Sequence, residues 1–446
     1  MISMENKQRA EELRRLLEWE GFCRIQFYLQ EQYGYEVNVF SQETDRKSIS
    51  QELRVFVEAW KNKQRYYTYA NSLESPKEIV GRLKAPEQSE KSQDQEEKQI
   101  DPCMKGSPYL EEIQCVEGSL KRAEHTALEN GADVVNECAC YHQRTETAIY
   151  RSDQQWFEDR GEYRYMGISA IAREDGDVAT AYCGAYGKPG EDFSPEALAK
   201  KVAGEAKARL HSIVLSSGTY KVILKNEVMA EILEAYLPIF YGDVMQDGMS
   251  RLKGQEKKKI ASERIDLVED PKLDGGRETR IIDDEGTVVQ KKYIIREGIF
   301  ETALYHNASA KEADGKQSTG NGFKSDFRSE IGTGVTNVEM RRSDGQGKSL
   351  EEMMRSVAEG ILVTGIDGTF AGVDTRTGRF SLISKGIVIR HGKKAEAFSQ
   401  VTISGNFYDM LEQILEIGND PEDTPPAALS VRAPSVYVGN LTVSGK

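Results

Sequence analysis

Two stretches of the chain pass through the same succession of patterns, and this recurrence restricts the fold more than any other feature. The first opens on an amphipathic helical pattern, ENKQRAEELRRLLEWEG, and moves into alternating strand patterns, CRIQFYLQEQ, GYEVNVFSQ and ELRVFVEAWKNKQRYYTYA. It closes on a helix, SPKEIVGRLK, with Ser75 as cap and Pro76 at the first helical position. The second runs from Leu110 to Leu210: a helix (SLKRAEHTALENG), strands (VVNECACYHQRTETAIYRS, then RYMGISAIAREDGDVATAYCGAYGK) and a helix (SPEALAKKVAGEAKARL). Two similar α+β halves are expected, although no residue-level repeat links them. Between them lies PEQSEKSQDQEEKQ, Pro86 to Gln99, which has too little apolar surface to offset the entropy of ordering and is expected to be a mobile linker.

Beyond Ser212 the texture changes to strands punctuated by glycine turns. Asp284-Glu285-Gly286 separates RIID from TVVQKKYII, Arg296-Glu297-Gly298 separates that run from IFETALY, and His391-Gly392 separates GIVIR from AEAFSQVTI. Two helices interrupt these strands. Ser349 with Glu352 forms a capping box ahead of the stripe Leu350, Met353, Met354, Val357 and Ile361. Asn406 caps the second, which runs through Phe407, Met410, Leu411, Ile414 and Leu415 to a stop at Gly418. A chain of 446 residues exceeds what one core supports. The expected fold is α+β, with an N-terminal α+β domain over 1–212 and a C-terminal β-rich domain, barrel-like or sandwich, over 213–446.

Charge and composition exclude several classes of function. The formal charge of −14 repels a polyphosphate, so no nucleic-acid partner is expected; the basic run Lys253 to Lys259 is broken by Glu256 and reads as a solvated loop. The amino-terminal stretch has no uninterrupted apolar core and no later segment reaches 18 apolar residues, so neither a signal peptide nor a membrane span is expected, and the location is expected to be cytoplasmic. All six cysteines lie in the first half without CxxC pairs, which suits reduced thiols. Cys138-Ala-Cys140 followed by His142 can be drawn as a metal corner, but strand alternation puts both thiols on one sheet face for packing alone.

Searches for a catalytic set fail in turn. No GxGxxG joins a strand to a helix, no GxxxxGK[ST] is present, and no GxSxG elbow accompanies the scattered histidines His125, His142, His211, His306 and His391. After Ser212 the only histidines are His306, read as a polar loop residue, and His391, read as a turn residue, with no cysteine to complete a zinc site. One helix, NEVMAEILEAYLPIFYGD (Asn226 to Asp243), carries Glu227, Glu231 and Glu234 on one face, with Val228, Ile232, Tyr236, Leu237, Ile239 and Phe240 opposite. Such a row is ordinarily a solvated surface, whereas enclosure in a cavity would raise the pKa of one member. Pro238 cannot donate to the carbonyl of Glu234, so the helix should kink or end there.

The carboxyl-terminal blocks carry a resemblance. SLEEMMRSVAEGILVTGIDG, FAGVDTRTGRFSL, ISKGIVIRHGKKAEAF, VTISGNFYDMLEQILEIGND and APSVYVGNLTVSGK, with STGNG at Ser318 to Gly322, resemble the TldD/PmbA family, once named modulators of DNA gyrase. The likeness covers about Gly218 to Lys446 closely and the earlier part only in its order of elements. By that resemblance, TldD-like members carry HExxxH on a helix and a cysteine near the carboxyl terminus as metal ligands, while PmbA-like members, also called TldE, lack them. Aligned to that motif, Glu234 stands at the first histidine, Ala235 at the glutamate and Ile239 at the second histidine. A register one residue earlier puts Leu233 and Pro238 at the histidines instead. The tail PEDTPPAALSVRAPSVYVGN has no cysteine.

The resemblance therefore implies the PmbA/TldE branch, with no catalytic, cofactor-binding or metal residue in this chain and a zinc-like metal only in a TldD-like partner. It implies a heterodimer with that metal-bearing subunit, or a homodimer, acting on an extended or unfolded peptide that an exposed strand edge could hold through main-chain hydrogen bonds. A stand-alone peptidase with an unrecognised site, for instance Glu234 with a second carboxylate, and a regulatory module binding gyrase or a similar target are the alternatives.

Overall fold

Strand patterning extends for far longer than in an ordinary strand, 18 residues over Cys23–Phe40 and 19 over Glu43–Lys61, with runs buried on both faces, and it produces the curled sheet that forms the first part of the protein. The computed structural model describes residues 2–83, 109–151, 155–187, 194–313, 315–423 and 428–446, so the linker expected at 86–99 lies outside the described residues. Strands β1 (Cys23–Phe40), β2 (Glu43–Lys61), β3 (Gln64–Ala70), β4 (Val134–Tyr150), β5 (Trp156–Glu174) and β6 (Asp177–Gly187) pair in the order β3-β2-β1-β4-β5-β6, all antiparallel. Helices α1 (Met4–Trp19), α2 (Pro76–Leu83), α3 (Leu110–Glu129) and α4 (Pro195–Ala208) complete two halves, each helix, three strands, helix, joined at β1–β4. The first helix pair covers Phe27, Leu29, Val55 and Val57; the second covers Val37, Cys138, Cys140 and Ile168.

Several local expectations need correction. CRIQFYLQEQ and GYEVNVFSQ are one strand: Gly34 sits mid-strand, where a Cβ would lie 2.5 Å from the carbonyl oxygen of His142. Conversely, ELRVFVEAWKNKQRYYTYA is two strands, because Asn62 and Lys63 adopt φ of 52° and 65° and make a tight hairpin turn without glycine.

The second part is built on β7 (Gly218–Leu224), α5 (Asn226–Tyr236) and α6 (Gly242–Gln246), then β8 (Ile265–Glu269), β9 (Lys292–Arg296), β10 (Ile299–Phe300), α7 (Asn307–Glu312), β11 (Gly322–Lys324), β12 (Ile331–Thr333) and β13 (Asn337–Arg342). It continues through α8 (Leu350–Val357), β14 (Gly360–Asp367), α9 (Thr369–Gly372), β15 (Arg379–Arg390), β16 (Lys393–Asn406), α10 (Phe407–Gln413), β17 (Glu416–Ile417), β18 (Glu422–Asp423), β19 (Ser430–Ala433) and β20 (Val436–Ser444). Strands β16-β15-β14-β7-β20 close into a five-stranded barrel through β16–β20 pairing, which decides between the barrel and the sandwich. A second sheet, β10-β9-β8-β13-β19-β18, shares its core.

All three glycine turns are present: Ile282 bridges Val288 around Gly286, β9 turns into β10 at Glu297-Gly298, and β15 turns into β16 at His391-Gly392. The two expected helices are shorter than read. Helix α8 stops at Val357, Ala358 takes φ of 61°, and Ile361 belongs to β14; α10 stops at Gln413, ahead of Ile414, Leu415 and Gly418. The Ser349–Glu352 capping box forms with both reciprocal bonds. Ser349→Ala is expected to lower stability by about 1 kcal/mol in a denaturant melt, since one amide at the helix start loses its acceptor.

The STGNG loop is a buried polar hub. Asn321 Nδ2 donates to both oxygens of Glu269, at 3.0 and 2.9 Å, and to the Gly334 carbonyl at 2.8 Å, while its Oδ1 accepts from Thr319 Oγ1 and Lys292 Nζ. Among the described residues no helix is long and apolar enough to cross a membrane.

Candidate functional site

Helix α5 follows β7 directly, and hydrogen bonds to the β19–β20 region fix its start. The Asn226 amide donates to Ser435 Oγ at 3.1 Å and Asn226 Nδ2 donates to the Asp420 carbonyl at 2.8 Å. Its far end behaves as Pro238 requires: α5 stops at Tyr236 and Leu237–Phe240 tighten into one turn of 3-10 helix. Ile232, Leu233, Tyr236, Leu237, Ile239 and Phe240 are all buried. Tyr236 stacks on Phe407 with ring centroids 4.1 Å apart and planes 2° from parallel.

The opposite face is not a solvated surface. Glu227, Val228, Glu231, Glu234 and Ala235 line a cleft of about 820 Å³, so the enclosed arrangement replaces the solvated row expected from the sequence. Tyr182, Cys183 and Gly184 of the edge strand β6, with Glu205 and Arg209 from the α4 end, form one wall. Thr364 to Asp367 of β14, Thr369 and Phe370 of α9, and Lys385 of β15 form the other.

Most of the charges there are matched. Glu227 holds Lys201 at 2.8 Å and Lys225 at 3.1 Å, tying α4 to α5; burial, the largest single effect, pushes its carboxyl up, but the charges and hydrogen bonds of Lys225 and Lys201 together outweigh it and keep the carboxyl below the usual range. Glu205 pairs with Arg209 at 3.0 Å and Lys225 at 3.5 Å. Asp367 is 3.8 Å from Lys385, and Glu234 accepts the Leu429 amide at 2.9 Å. Glu231 has no cation within ion-pair distance among the described residues. Burial, then the negative charges of Asp367 and Glu234, push its carboxyl up to about 7, against a smaller opposing pull from Lys385 and the Thr369 hydroxyl. Burial likewise pushes the Cys183 thiol up to about 12, leaving it unreactive as a nucleophile.

The motif positions divide between cleft and core. Glu234 and Ala235 face the cleft, but Ile239 is buried in the turn after the helix, and in the alternative register Leu233 is buried too. A methyl group and a branched hydrocarbon offer no lone pair, so these residues do not fit a divalent cation. Among the described residues no group of three or more His, Cys, Asp or Glu side chains could hold a metal.

The remaining candidates have structural surroundings. Cys138, Cys140 and His142 all point under the helices; His142 stacks on Tyr35 at 5.0 Å and its Nε2 lies 3.0 Å from Glu162. His306 is buried and not in a solvated loop: it stands at the start of α7, with Nδ1 2.9 Å from Ser309 Oγ and 3.0 Å from Thr333 Oγ1, and burial lowers its pKa. His391 is an exposed turn residue with φ of 52°. Sequence reasoning missed Asp367, Phe370 and Lys385; the turn at Gly368, with φ of 90°, is the only local signal near them.

Solved structures with the same architecture define the class of protein. TldE from Thermococcus kodakarensis superposes with a TM-score of 0.83 at 22% identity, covering 98% of this chain and 100% of that one. A Thermotoga maritima protein bearing the name modulator of a DNA gyrase gives 0.85 at 23%, with the same coverage. At these identities the likeness concerns the fold, a curled α+β sheet joined to a small barrel. The sequence then names the family: the chain belongs to the PmbA/TldA metallopeptidases, whose C-terminal domain model matches residues 217–445 and whose central domain model matches 107–210. Metalloprotease PmbA of Escherichia coli O157:H7 is 26% identical over 328 residues, 73% of this chain and 68% of that protein. A TldD homologue of Buchnera aphidicola is 28% identical over 261 residues, 56% of this chain and 51% of that protein.

Proposed function

We propose that this chain is the non-metal, TldE/PmbA-type subunit of a two-subunit cytoplasmic metallopeptidase that degrades or matures extended or unfolded peptides, with a TldD-like partner supplying the metal. The observation that carries this reading is the occupancy of the motif helix: Glu234, Ala235 and Ile239 stand where the family's ligand-bearing branch would need two imidazoles and a carboxylate. The cleft beside that helix supports a substrate-holding role. Strand β6 is a sheet edge, and the Thr180 carbonyl on its outer side accepts Arg209 Nη1 at 2.8 Å. Alternation along the strand puts the main-chain groups of Tyr182 and Gly184 on that same outer side, against the cleft, where an extended peptide can meet them without regard to its sequence.

The test combines metal analysis of the pure chain with digestion of an unfolded protein, with and without a TldD-like subunit. Cleavage only in the mixture, abolished by a chelator, is the expected result. Chelator-insensitive cleavage by the chain alone, lost in Glu234→Ala, would establish the stand-alone peptidase instead. Stable capture of gyrase without any proteolysis would establish the regulatory module.

A further inference from the structure

We propose that the cleft selects peptides by a positive charge, with Glu231 receiving the ammonium or guanidinium group of a basic residue or the terminal amine of the bound chain. This rests on the reading of the protein as a peptide-holding subunit.

The distribution of charge in the cleft points to such a ligand. Glu227 and Glu205 are matched by Lys201, Lys225 and Arg209, Asp367 has Lys385 at 3.8 Å, and Glu234 is taken by the Leu429 amide. Glu231, between them on the helix, is met by the Thr369 hydroxyl but by no cation within ion-pair distance among the described residues, and it faces an open volume of about 820 Å³, within the range of small-ligand sites. A partly enclosed carboxylate without a counter-charge gains most from a cation that a ligand brings with it.

The geometry also selects the kind of cation. Among the described residues no three of the acidic side chains come together in a group that could hold a metal. A charge at the end of a flexible stem suits them better, and Val373 and Phe370 give such a stem apolar surface to lie on. Phe370 is 95% exposed at the cleft rim, and its ring face is open to an ammonium or guanidinium group.

Ionisation of Glu231 sets the pH dependence. It faces Glu234 on its own helix, Asp367 from β14, Thr369 from α9 and Lys385 from β15, with Glu205 and Arg209 of α4 across the cleft. With its carboxyl pushed up to about 7, Glu231 is largely neutral at mildly acid pH and charged at mildly alkaline pH.

The test measures polarisation of fluorescent, N-acetylated peptides that differ only in one central Lys, Gln or Glu, bound to the chain alone and to its complex with a TldD-like subunit inactivated at its metal. The Lys peptide is expected to bind about tenfold more tightly than the Gln peptide near pH 8, falling to about twofold near pH 6. Glu231→Gln is expected to erase the difference between the Lys and Gln peptides at both pH values. A Gln peptide with a free amino terminus identifies the terminal amine as the source if it alone regains the preference. Equal binding of the Lys and Gln peptides with no gain from a free terminus, or a preference that survives in Glu231→Gln, overturns the proposal but leaves the peptide-holding role standing. Failure to bind any peptide overturns both.

Discussion

Replacing Lys292 by methionine is expected to lower the stability of the barrel-containing part by about 3–5 kcal/mol, read as a shift in its denaturant midpoint. The reason is Glu269, whose side chain is 0% exposed. Lys292 Nζ donates to it at 2.8 Å; the other donors are Asn321 Nδ2, the Thr336 amide at 2.9 Å and Thr336 Oγ1 at 3.1 Å, all neutral. Without the ammonium group a carboxylate stays in a dry interior with no opposite charge, and removing one member of a buried pair is far worse than never having had it. Asn321→Ala should also destabilise strongly, because it strips donors from Glu269 and leaves the Gly334 carbonyl without its 2.8 Å partner. The two losses should not add when combined, since both act on the same carboxylate.

That hub shows what a sequence makes readable. STGNG is visible as a block, but its partners Glu269, Lys292 and Thr336 come from separate elements, and nothing in their local pattern announces a shared site. Features set by neighbouring residues were readable: the Gly286, Gly298 and Gly392 turns, the Ser349 capping box and the break at Pro238 all depend on groups a few positions apart. Errors arose where tertiary contacts override the local signal. Gly34 looks like a breaker but exists to let β4 approach, and the Asn62-Lys63 turn carries no glycine because asparagine tolerates a left-handed backbone. Val357 and Ile361 have helical spacing, yet Ile361 is drawn into β14 by pairing with Val388 on one side and Val222 on the other.

The site was half readable. Spacing alone put Glu227, Glu231 and Glu234 on one helical face, and the apolar face opposite is buried as expected. Whether that row meets water or an enclosing wall depends on β6, α4 and the β14–β15 connection, all outside the helix and beyond the reach of its local pattern. The solvated reading fails for that reason, and the raised acid predicted for an enclosed row falls on Glu231, the member without a basic partner.

Glu231→Gln is accordingly expected to make the protein more stable at neutral and alkaline pH. With its carboxyl pushed up from 4.5 to about 7, the folded state holds a proton that the unfolded chain has released. Stability from this group is therefore full below about pH 4.5, falls between about 4.5 and 7, and stays lost above that range. The displacement corresponds to at most about 3 kcal/mol, and screening at a partly exposed carboxyl reduces it to about 1–2 kcal/mol. The glutamine variant, unable to ionise, should exceed the parent by that amount near pH 8 and match it near pH 4.5, measured as paired denaturant melts at each pH. Equal stability at both pH values would mean that Glu231 ionises freely in the folded protein and that the cleft imposes no strain on its charge. A carboxylate retained at the expense of stability is what a site needs when the missing counter-charge arrives with its ligand.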